Sequence, residues 1–294
     1  MLVLFLIVCL MGTRLQAAPP ETPAPTEWPW AGYGLPETTN PCAIPTSYPK
    51  DDWHWNQFAG WKKTDYKTSG KNVIFLGDSI THGWNWMPDY PDGNGAKVWK
   101  ENADRYPSIR PLSLGMSGDQ PQNTLWLLTK GELLEPFPSP KVIVLMIGIN
   151  SLNKKRTPEE VAGGIRTILE YLRQTKPESK LLLLGILPCW GPTAPVRTAI
   201  PETNDLIRNI ADGKSIYFLN FGEKLLTPEG KMNPDLSYDA IHLTTRGYEV
   251  WAKAMFPYLE DLMETGGSGS FWNKKGKAIP LNADTPMSAQ QMTN

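Results

Sequence analysis

Five short apolar runs along the middle of the chain constrain its fold more than any other feature. They occupy residues 72–76, 111–114, 141–147, 180–186 and 215–219. Short runs that are mainly apolar, without strict alternation of polar residues, are typical of strands buried on both faces of a parallel sheet. Parallel neighbours need crossover connections, which are usually helices. The pattern therefore predicts one α/β domain over about residues 70–263, with helices on both faces of the sheet.

Three segments outside these runs carry the pattern of helices. The first begins with Thr157 at the N-cap, Pro158 at the first helical position and Glu160 completing a capping box. Apolar residues then recur at helical spacing, at Val161, Ile165, Ile168, Leu169 and Leu172. Two further helices are predicted over 203–212 and 244–262.

The two ends of the chain differ from this domain in composition. An apolar run of about ten residues followed by small residues predicts a secretory signal peptide over 1–17, and hence a secreted or periplasmic protein. The run is too short to span a bilayer, and no other stretch predicts a membrane span. Glycine and serine after the last helix predict a flexible tail over 264–294.

Residues 18–69 form an extension rich in proline and tryptophan. Proline disfavours helix interiors and central strands. Exposed tryptophans would be costly, so we predict that the extension packs on the domain. An alternative remains open, in which its aromatic faces line a substrate cleft.

Charge and cysteine content exclude several classes of function. A net charge of −1 without a basic block disfavours nucleic acid as a partner. Few clustered histidines and cysteines disfavour a zinc site, and the sequence contains no Walker-type phosphate-binding loop or dinucleotide glycine fingerprint. Without the signal peptide the cysteines are Cys42 and Cys189, for which a disulfide is predicted; two unpaired thiols are the equal alternative.

A candidate nucleophile, Ser79, follows the first apolar run within Gly77-Asp78-Ser79. It is placed at the carboxyl edge of the sheet, where open α/β folds bind their ligands. In the simplest alternative, Asp78 or Ser79 only caps the next helix. A nucleophilic serine needs a base within hydrogen-bond reach, and histidine suits that role.

Only three histidines can supply this base. His54 lies between two tryptophans of the extension, and His82 lies one turn beyond Ser79, poorly placed to reach it. His242 precedes the last helix in a loop, at the edge of the sheet where Ser79 is expected. Asp239, three residues earlier, is close enough to orient its ring, although a turn or cap residue is the alternative.

An ester hydrolase also needs donors for the oxyanion of its tetrahedral intermediate. Gly118 follows the second run and Asn150 the third, so a glycine amide and a side-chain amide are available at the same edge. Glycine and asparagine also favour turns, which is the alternative explanation.

Taken in order, Gly77-Asp78-Ser79, Gly118, Asn150 and Asp239-x-x-His242 resemble the GDSL-type (SGNH) hydrolases over 70–263. Gly115-x-x-Gly118-Asp119 is similar to the branch with the intracellular platelet-activating-factor acetylhydrolase catalytic subunits, which many secreted bacterial esterases share. Ser117 departs from that branch, which usually has glycine at this position.

The resemblance implies a flavodoxin-like three-layer α/β/α sandwich with a mostly five-stranded parallel sheet. It also implies that Ser79 is the nucleophile, His242 the base and Asp239 its orienting acid. The oxyanion hole would comprise the amides of Ser79 and Gly118 with the side chain of Asn150. No metal or organic cofactor is required.

These features predict a secreted serine esterase that removes a short acyl group, acetyl, from O-acetylated carbohydrate. Aromatic side chains just past strand ends could hold the sugar, although ordinary packing is the alternative; they are Trp84, Trp86 and Trp190. Other hypotheses are a lysophospholipase or phospholipid acetylhydrolase, and a non-catalytic carbohydrate-binding protein. A glycosidase would pair Asp78 or Asp119 with Asp239.

Overall fold

The computed structural model describes residues 29–63, 70–85, 95–137, 139–189 and 194–279. A sheet of five parallel strands runs through the domain in the order β2-β1-β3-β4-β5. The strands are β1 (Val73–Gly77), β2 (Pro111–Gly115), β3 (Val142–Met146), β4 (Lys180–Leu184) and β5 (Ile216–Leu219). Each strand falls at a predicted apolar run, and the strand order is that of flavodoxin-like folds. The predicted fold class is therefore confirmed.

Eight α-helices are described in this part of the chain. They are α1 (His54–Lys63), α2 (Ser79–His82), α3 (Gly95–Asn102), α4 (Pro121–Thr129), α5 (Ile149–Asn153), α6 (Pro158–Thr175), α7 (Ala194–Ile207) and α8 (Thr245–Glu264). Helix α3 packs against α8, and α6 packs against α4 and α7. Short 3-10 turns lie at Ala31–Tyr33, Pro41–Ala43, Arg208–Ile210 and Gly222–Leu225.

Helices α6 and α7 differ in how closely they match the prediction. In α6 the capping box is present, since Glu160 N donates to Thr157 Oγ1 at 3.2 Å and Thr157 N to the Glu160 carboxylate at 3.0 Å. Helix α7 begins well before the predicted 203–212, because the helix continues through Pro201. A proline inside a helix removes one hydrogen bond and costs about 3 kcal/mol. Packing of α7 against α6 offsets that cost.

The described part of the extension packs closely on α6. Asn40 Nδ2 donates to the carbonyl oxygen of Glu160 at 2.9 Å. A β-carbon at Gly163 would overlap Asn40, and one at Gly164 would overlap the carbonyl oxygen of Cys42. Two adjacent glycines in α6 therefore let the turn at Pro41–Ala43 approach the helix backbone.

The segment after α8 differs from the predicted flexible tail as far as Ile279. Trp272 is buried, and its indole N–H donates to Asp261 at 2.8 Å. Backbone hydrogen bonds join Phe218 of β5 to Gly276 and Ala278, at 2.8 and 2.9 Å. A buried indole and this backbone pairing hold a segment whose glycine content alone favours flexibility. The remaining tail, 280–294, lies outside the described residues.

The predicted disulfide is wrong, because Cys42 and Cys189 are both buried thiols. The sulfur of Cys42 lies 3.9 Å from Ser151 Oγ. Burial raises the pKa of this thiol, which disfavours the thiolate.

The predicted signal peptide, 1–17, lies outside the described residues. None of the described helices is long and apolar enough to cross a membrane.

Candidate active site

Ser79 stands where β1 ends and α2 begins. Asp78 is the N-cap of α2, and its carboxylate accepts from Ile80 N at 3.0 Å. A β-carbon at Gly77 would overlap the carbonyl oxygen of Met146 in the neighbouring strand β3. The glycine thus lets the end of β1 lie against β3, and the cap turns the chain immediately afterwards. Asp78 does cap the helix, as the simplest alternative supposed, but Ser79 faces a cavity instead.

A hydrogen-bonded chain joins Ser79 to His242 and Asp239. Nε2 of His242 lies 2.8 Å from Ser79 Oγ, and Nδ1 lies 2.6 Å from Asp239 Oδ2. The other carboxylate oxygen of Asp239 accepts from the backbone amides of Ile241 and His242, at 3.0 and 2.7 Å. Partial burial raises the pKa of Asp239, but the hydrogen bonds from His242 and Ile241 outweigh it and hold that pKa below its ordinary value. The carboxylate therefore stays ionised beside the imidazole.

Gly118 and Asn150 lie at the same edge of the sheet. Gly118 has a φ of 83°, a conformation that favours glycine, in the turn after β2. Asn150 lies in the first turn of α5, and its amide nitrogen donates to the carbonyl oxygen of Asp119 at 3.0 Å. The structure thus brings all five predicted residues to one site.

Four of these five residues, all except Asp239, line a cavity of about 540 Å³. Its described lining comprises Trp53, Gln57, Ser79, His82, Ser117, Gly118, Asn150 and His242. The volume is in the range of small-molecule sites. Two of these side chains, Trp53 and Gln57, come from the extension, so part of it does line the cleft.

The structure does not support the predicted substrate contacts of the tryptophans that follow strand ends. Trp84 is only 2% exposed, and its ring packs against Phe75, Trp99, Tyr248 and Trp251. Its predicted role as a substrate contact is wrong, because core side chains surround the indole. Trp86 and Trp190 lie outside the described residues. Among the described tryptophans, Trp53 lines the cavity and is 48% exposed.

The sequence did not single out a polar cluster beside the nucleophile. Nδ1 of His82 lies 3.0 Å from Ser117 Oγ, and its Nε2 lies 2.9 Å from the side-chain nitrogen of Gln57. Burial lowers the pKa of His82 to about 4, so the ring is neutral at physiological pH. Two signals could have pointed to this cluster. One is the serine at position 117, and the other is the four-residue spacing between Trp53, just before α1, and Gln57 within α1.

Two aspartates near the site are buried rather than open to substrate. Burial raises the pKa of Asp78 to about 7 and that of Asp119 well above its ordinary value. Asp119 accepts hydrogen bonds from the hydroxyls of Tyr48 and Thr124, at 2.7 and 3.4 Å. Neither carboxyl is part of the described cavity lining, so the paired-carboxylate hypothesis gains no support. In the described ranges, no three His, Cys, Asp or Glu side chains are grouped to hold a metal ion.

A flavodoxin-like sheet that presents a serine to an aspartate-bound histidine defines the class of this protein as a serine hydrolase. Residues 75–250 match the model of the GDSL-like Lipase/Acylhydrolase family, and the chain belongs to that family. It is a GDSL-type esterase or acylhydrolase.

Two curated relatives are platelet-activating factor acetylhydrolase subunits. Rat (Rattus norvegicus) platelet-activating factor acetylhydrolase IB subunit alpha1 is 27% identical over 253 residues, covering 85% of this chain and 99% of that protein. The human (Homo sapiens) subunit alpha2 is 29% identical over 229 residues, covering 77% and 93%.

Solved structures share the fold at low sequence identity. A GDSL-like lipase from Bacteroides thetaiotaomicron aligns with a TM-score of 0.51 at 18% identity, covering 72% of this chain and 96% of that one. A catalytic mutant of an acetylxylan esterase from Geobacillus stearothermophilus aligns with a TM-score of 0.50 at 19% identity, covering 64% and 93%. At these identities the likeness concerns the fold alone.

Proposed function

We propose that the protein hydrolyses short-chain esters, chiefly acetyl esters, through an acyl-enzyme formed on Ser79. The observation that carries this proposal is the hydrogen-bonded chain from Ser79 Oγ through His242 to Asp239, with heavy-atom distances of 2.8 and 2.6 Å. Serine becomes nucleophilic when a base can accept its proton, and this geometry supplies the base.

The reaction follows from which atoms face each other. His242 Nε2 accepts the Ser79 proton as Oγ attacks the ester carbonyl, and then donates it to the departing alcohol. Water attacks the acyl-enzyme with the same assistance and releases the acid. Asp239 holds the Nδ1 proton and stabilises the imidazolium that forms.

The negative charge of each tetrahedral intermediate needs preorganised donors. The amides of Ser79 and Gly118 and the side chain of Asn150 are the proposed oxyanion hole. One such donor is worth about 3–4 kcal/mol of barrier. Asn150 uses one amide proton on the Asp119 carbonyl, which leaves its second proton for the oxyanion.

The proposed substrate is O-acetylated carbohydrate. Apart from Trp53, the described lining is polar or small, which suits an acetyl group better than a long acyl chain. The exposed indole of Trp53 offers an aromatic face on which a sugar ring can stack. A phospholipid acylhydrolase remains the second candidate, since the curated relatives are platelet-activating factor acetylhydrolases.

We also propose that the protein is exported, on the strength of the apolar run within residues 1–17. Sequencing the amino terminus of the protein recovered from its native host would test this. Recovery of an intact Met1 would contradict it.

Replacing the nucleophile tests the mechanism directly. Ser79→Ala should lower kcat on p-nitrophenyl acetate by at least about 10³-fold and abolish labelling by a fluorophosphonate probe. Ser268→Ala, an exposed serine far along the chain, is the matched control and should retain both. Unchanged hydrolysis in Ser79→Ala would overturn the mechanism. A wild-type protein that binds glycans but is never labelled would favour the non-catalytic hypothesis.

The substrate class can be tested separately. Acetate release from acetylated xylooligosaccharides should exceed release from an acetylated phospholipid. Trp53→Ala should raise KM for the oligosaccharide about three- to tenfold and leave that for p-nitrophenyl acetate unchanged, while Trp53→Phe keeps most of the affinity. Activity on the phospholipid but on no glycan would contradict the carbohydrate proposal.

A further inference from the structure

Two side chains of the extension hold the turn that carries Gly118. Nε2 of His54 lies 2.8 Å from the carbonyl oxygen of Ser117. On the other side of Gly118, the hydroxyl of Tyr48 donates to the Asp119 carboxylate at 2.7 Å. These contacts join residues 63 and 71 positions apart, so only the folded extension can make them.

The ring of His54 is itself fixed from three directions. Its Nδ1 is hydrogen-bonded to the Asp52 carboxylate, which also accepts from the His54 backbone amide at 3.1 Å. The imidazole stacks on Tyr48 with centroids 4.2 Å apart, and on Trp53 with centroids 4.0 Å apart. A ring held this way keeps its orientation toward the Ser117 carbonyl.

Both ring nitrogens of His54 face atoms that can only accept hydrogen bonds. A carboxylate oxygen lies at one nitrogen and a backbone carbonyl oxygen at the other. A carbonyl oxygen has no proton to donate, so Nε2 supplies the proton of its hydrogen bond to Ser117. The ring is also close to Gly118, since a β-carbon placed there would lie 3.8 Å from Nε2.

The carbonyl of Ser117 and the amide of Gly118 belong to the same peptide group. The chain has no cis peptide bond in its described part, so these two groups point in opposite directions. A donor on the carbonyl therefore fixes the plane that aims the Gly118 N–H away from His54. It also polarises the peptide, which strengthens that N–H as a donor.

We propose that His54, held by Asp52, is a positioning residue for ester hydrolysis, acting through the Ser117–Gly118 peptide on the oxyanion donor. This inference rests on the proposed function of Ser79 and Gly118. It gives the extension a part in catalysis beyond packing on the domain. Asn150 binds the carbonyl oxygen of Asp119, which belongs to the Asp119–Gln120 peptide of the same turn, so the turn is fixed from both the extension and α5.

The test measures transition-state binding separately from substrate binding in the full chain. His54→Phe keeps an aromatic ring for the stack and removes both hydrogen bonds. We expect kcat on p-nitrophenyl acetate to fall about 10- to 100-fold while KM changes less than about threefold. Affinity for a trifluoromethyl ketone, which forms a tetrahedral adduct with serine, should fall in parallel with kcat.

Two further variants keep the outcome decisive. His54→Gln retains one neutral donor and should lose less activity than His54→Phe. If His54→Phe does not fold, His54→Gln replaces it in the test, and we expect its kcat and its affinity for the ketone to fall in parallel. Asn56→Ala, exposed on the same helix, is the matched control and should behave as wild type.

Unchanged kcat and ketone affinity in a folded His54 variant would overturn the inference. So would a loss that follows only the melting temperature. If the fluorophosphonate never labels wild-type Ser79, it is the proposed function that fails, and the two failures are thereby distinguished.

Discussion

Two aspartate–histidine pairs lie beside the same cavity and differ in what they face. In Asp239–His242 and in Asp52–His54 alike, a carboxylate binds Nδ1 of the ring. Nε2 of His242 faces the Ser79 hydroxyl at 2.8 Å, whereas Nε2 of His54 faces the Ser117 carbonyl at 2.8 Å. A hydroxyl can give up a proton and a carbonyl cannot. In the proposed mechanism, the atom opposite Nε2 makes His242 a base and His54 only a donor.

The largest difference between the pairs should appear when each carboxylate is neutralised. We expect Asp239→Asn to lower kcat on p-nitrophenyl acetate by about 10³- to 10⁴-fold, because an amide neither fixes the required tautomer nor stabilises an imidazolium. Asp52→Asn should lower it by no more than about 30-fold, since His54 transfers no proton. Steady-state kinetics on both variants would check this. Equal losses of kcat in the two variants would contradict the assignment of His242 as the base and His54 as a positioning residue.

Asp78 is buried and belongs to neither pair, and we expect its titration to appear in the pH dependence of the free energy of unfolding. Burial raises the pKa of Asp78 to about 7, so between pH 4 and 7 the folded state binds more protons than the unfolded state. Its contribution to the free energy of unfolding therefore falls as pH rises, by on the order of 2 kcal/mol between pH 5 and 7.

The measurement is urea unfolding of wild type and Asp78→Asn across that range. Asparagine keeps an N-cap acceptor for the Ile80 amide but does not titrate. The stability of wild type relative to the variant should decline toward pH 7. A difference that stays constant with pH would contradict the raised pKa.

The turn held by His54 should be sensitive to its backbone conformation. Gly118→Ala places a side chain at a φ of 83°, which costs about 1–2 kcal/mol of stability and should lower kcat about 10- to 100-fold as the amide shifts. Gly230→Ala, at a φ of 73° with open space around its β-carbon, carries similar strain away from the site. Thermal unfolding should show comparable losses for both variants, whereas a comparable loss of activity in Gly230→Ala would argue against a special role for the Gly118 turn.

The smallest effect is expected for the second anchor of that turn. Tyr48→Phe leaves the buried Asp119 without its 2.7 Å hydrogen bond, and should lower the free energy of unfolding by about 1 kcal/mol and kcat less than tenfold. Tyr33→Phe, elsewhere in the extension, is the control. Urea unfolding and kinetics on the pair would check it, and identical behaviour of the two variants would show that the hydroxyl contributes nothing.

Local signals sufficed for much of the fold and for the three residues of the Ser79 chain. The five apolar runs gave the strands, and the capping box gave the start of α6. They did not predict where α7 begins, because Pro201 disfavours a helix interior and only packing against α6 offsets that cost. They also failed at Trp84, because a position just past a strand does not say whether a side chain turns toward the cleft or the core.

Some properties of this protein depend only on residues close together in the chain, and these the sequence by itself determined. They include strand and cap positions, the glycine turns, and the three-residue spacing that lets Asp239 hold His242. Other properties depend on groups that meet only after folding. That Cys42 contacts Ser151 rather than a second sulfur, that Trp53 faces the cavity, and that His54 faces a carbonyl were decided by the tertiary structure. The chemistry of a histidine is set by the atom opposite its free nitrogen, and at His54 that atom belongs to a residue 63 positions away.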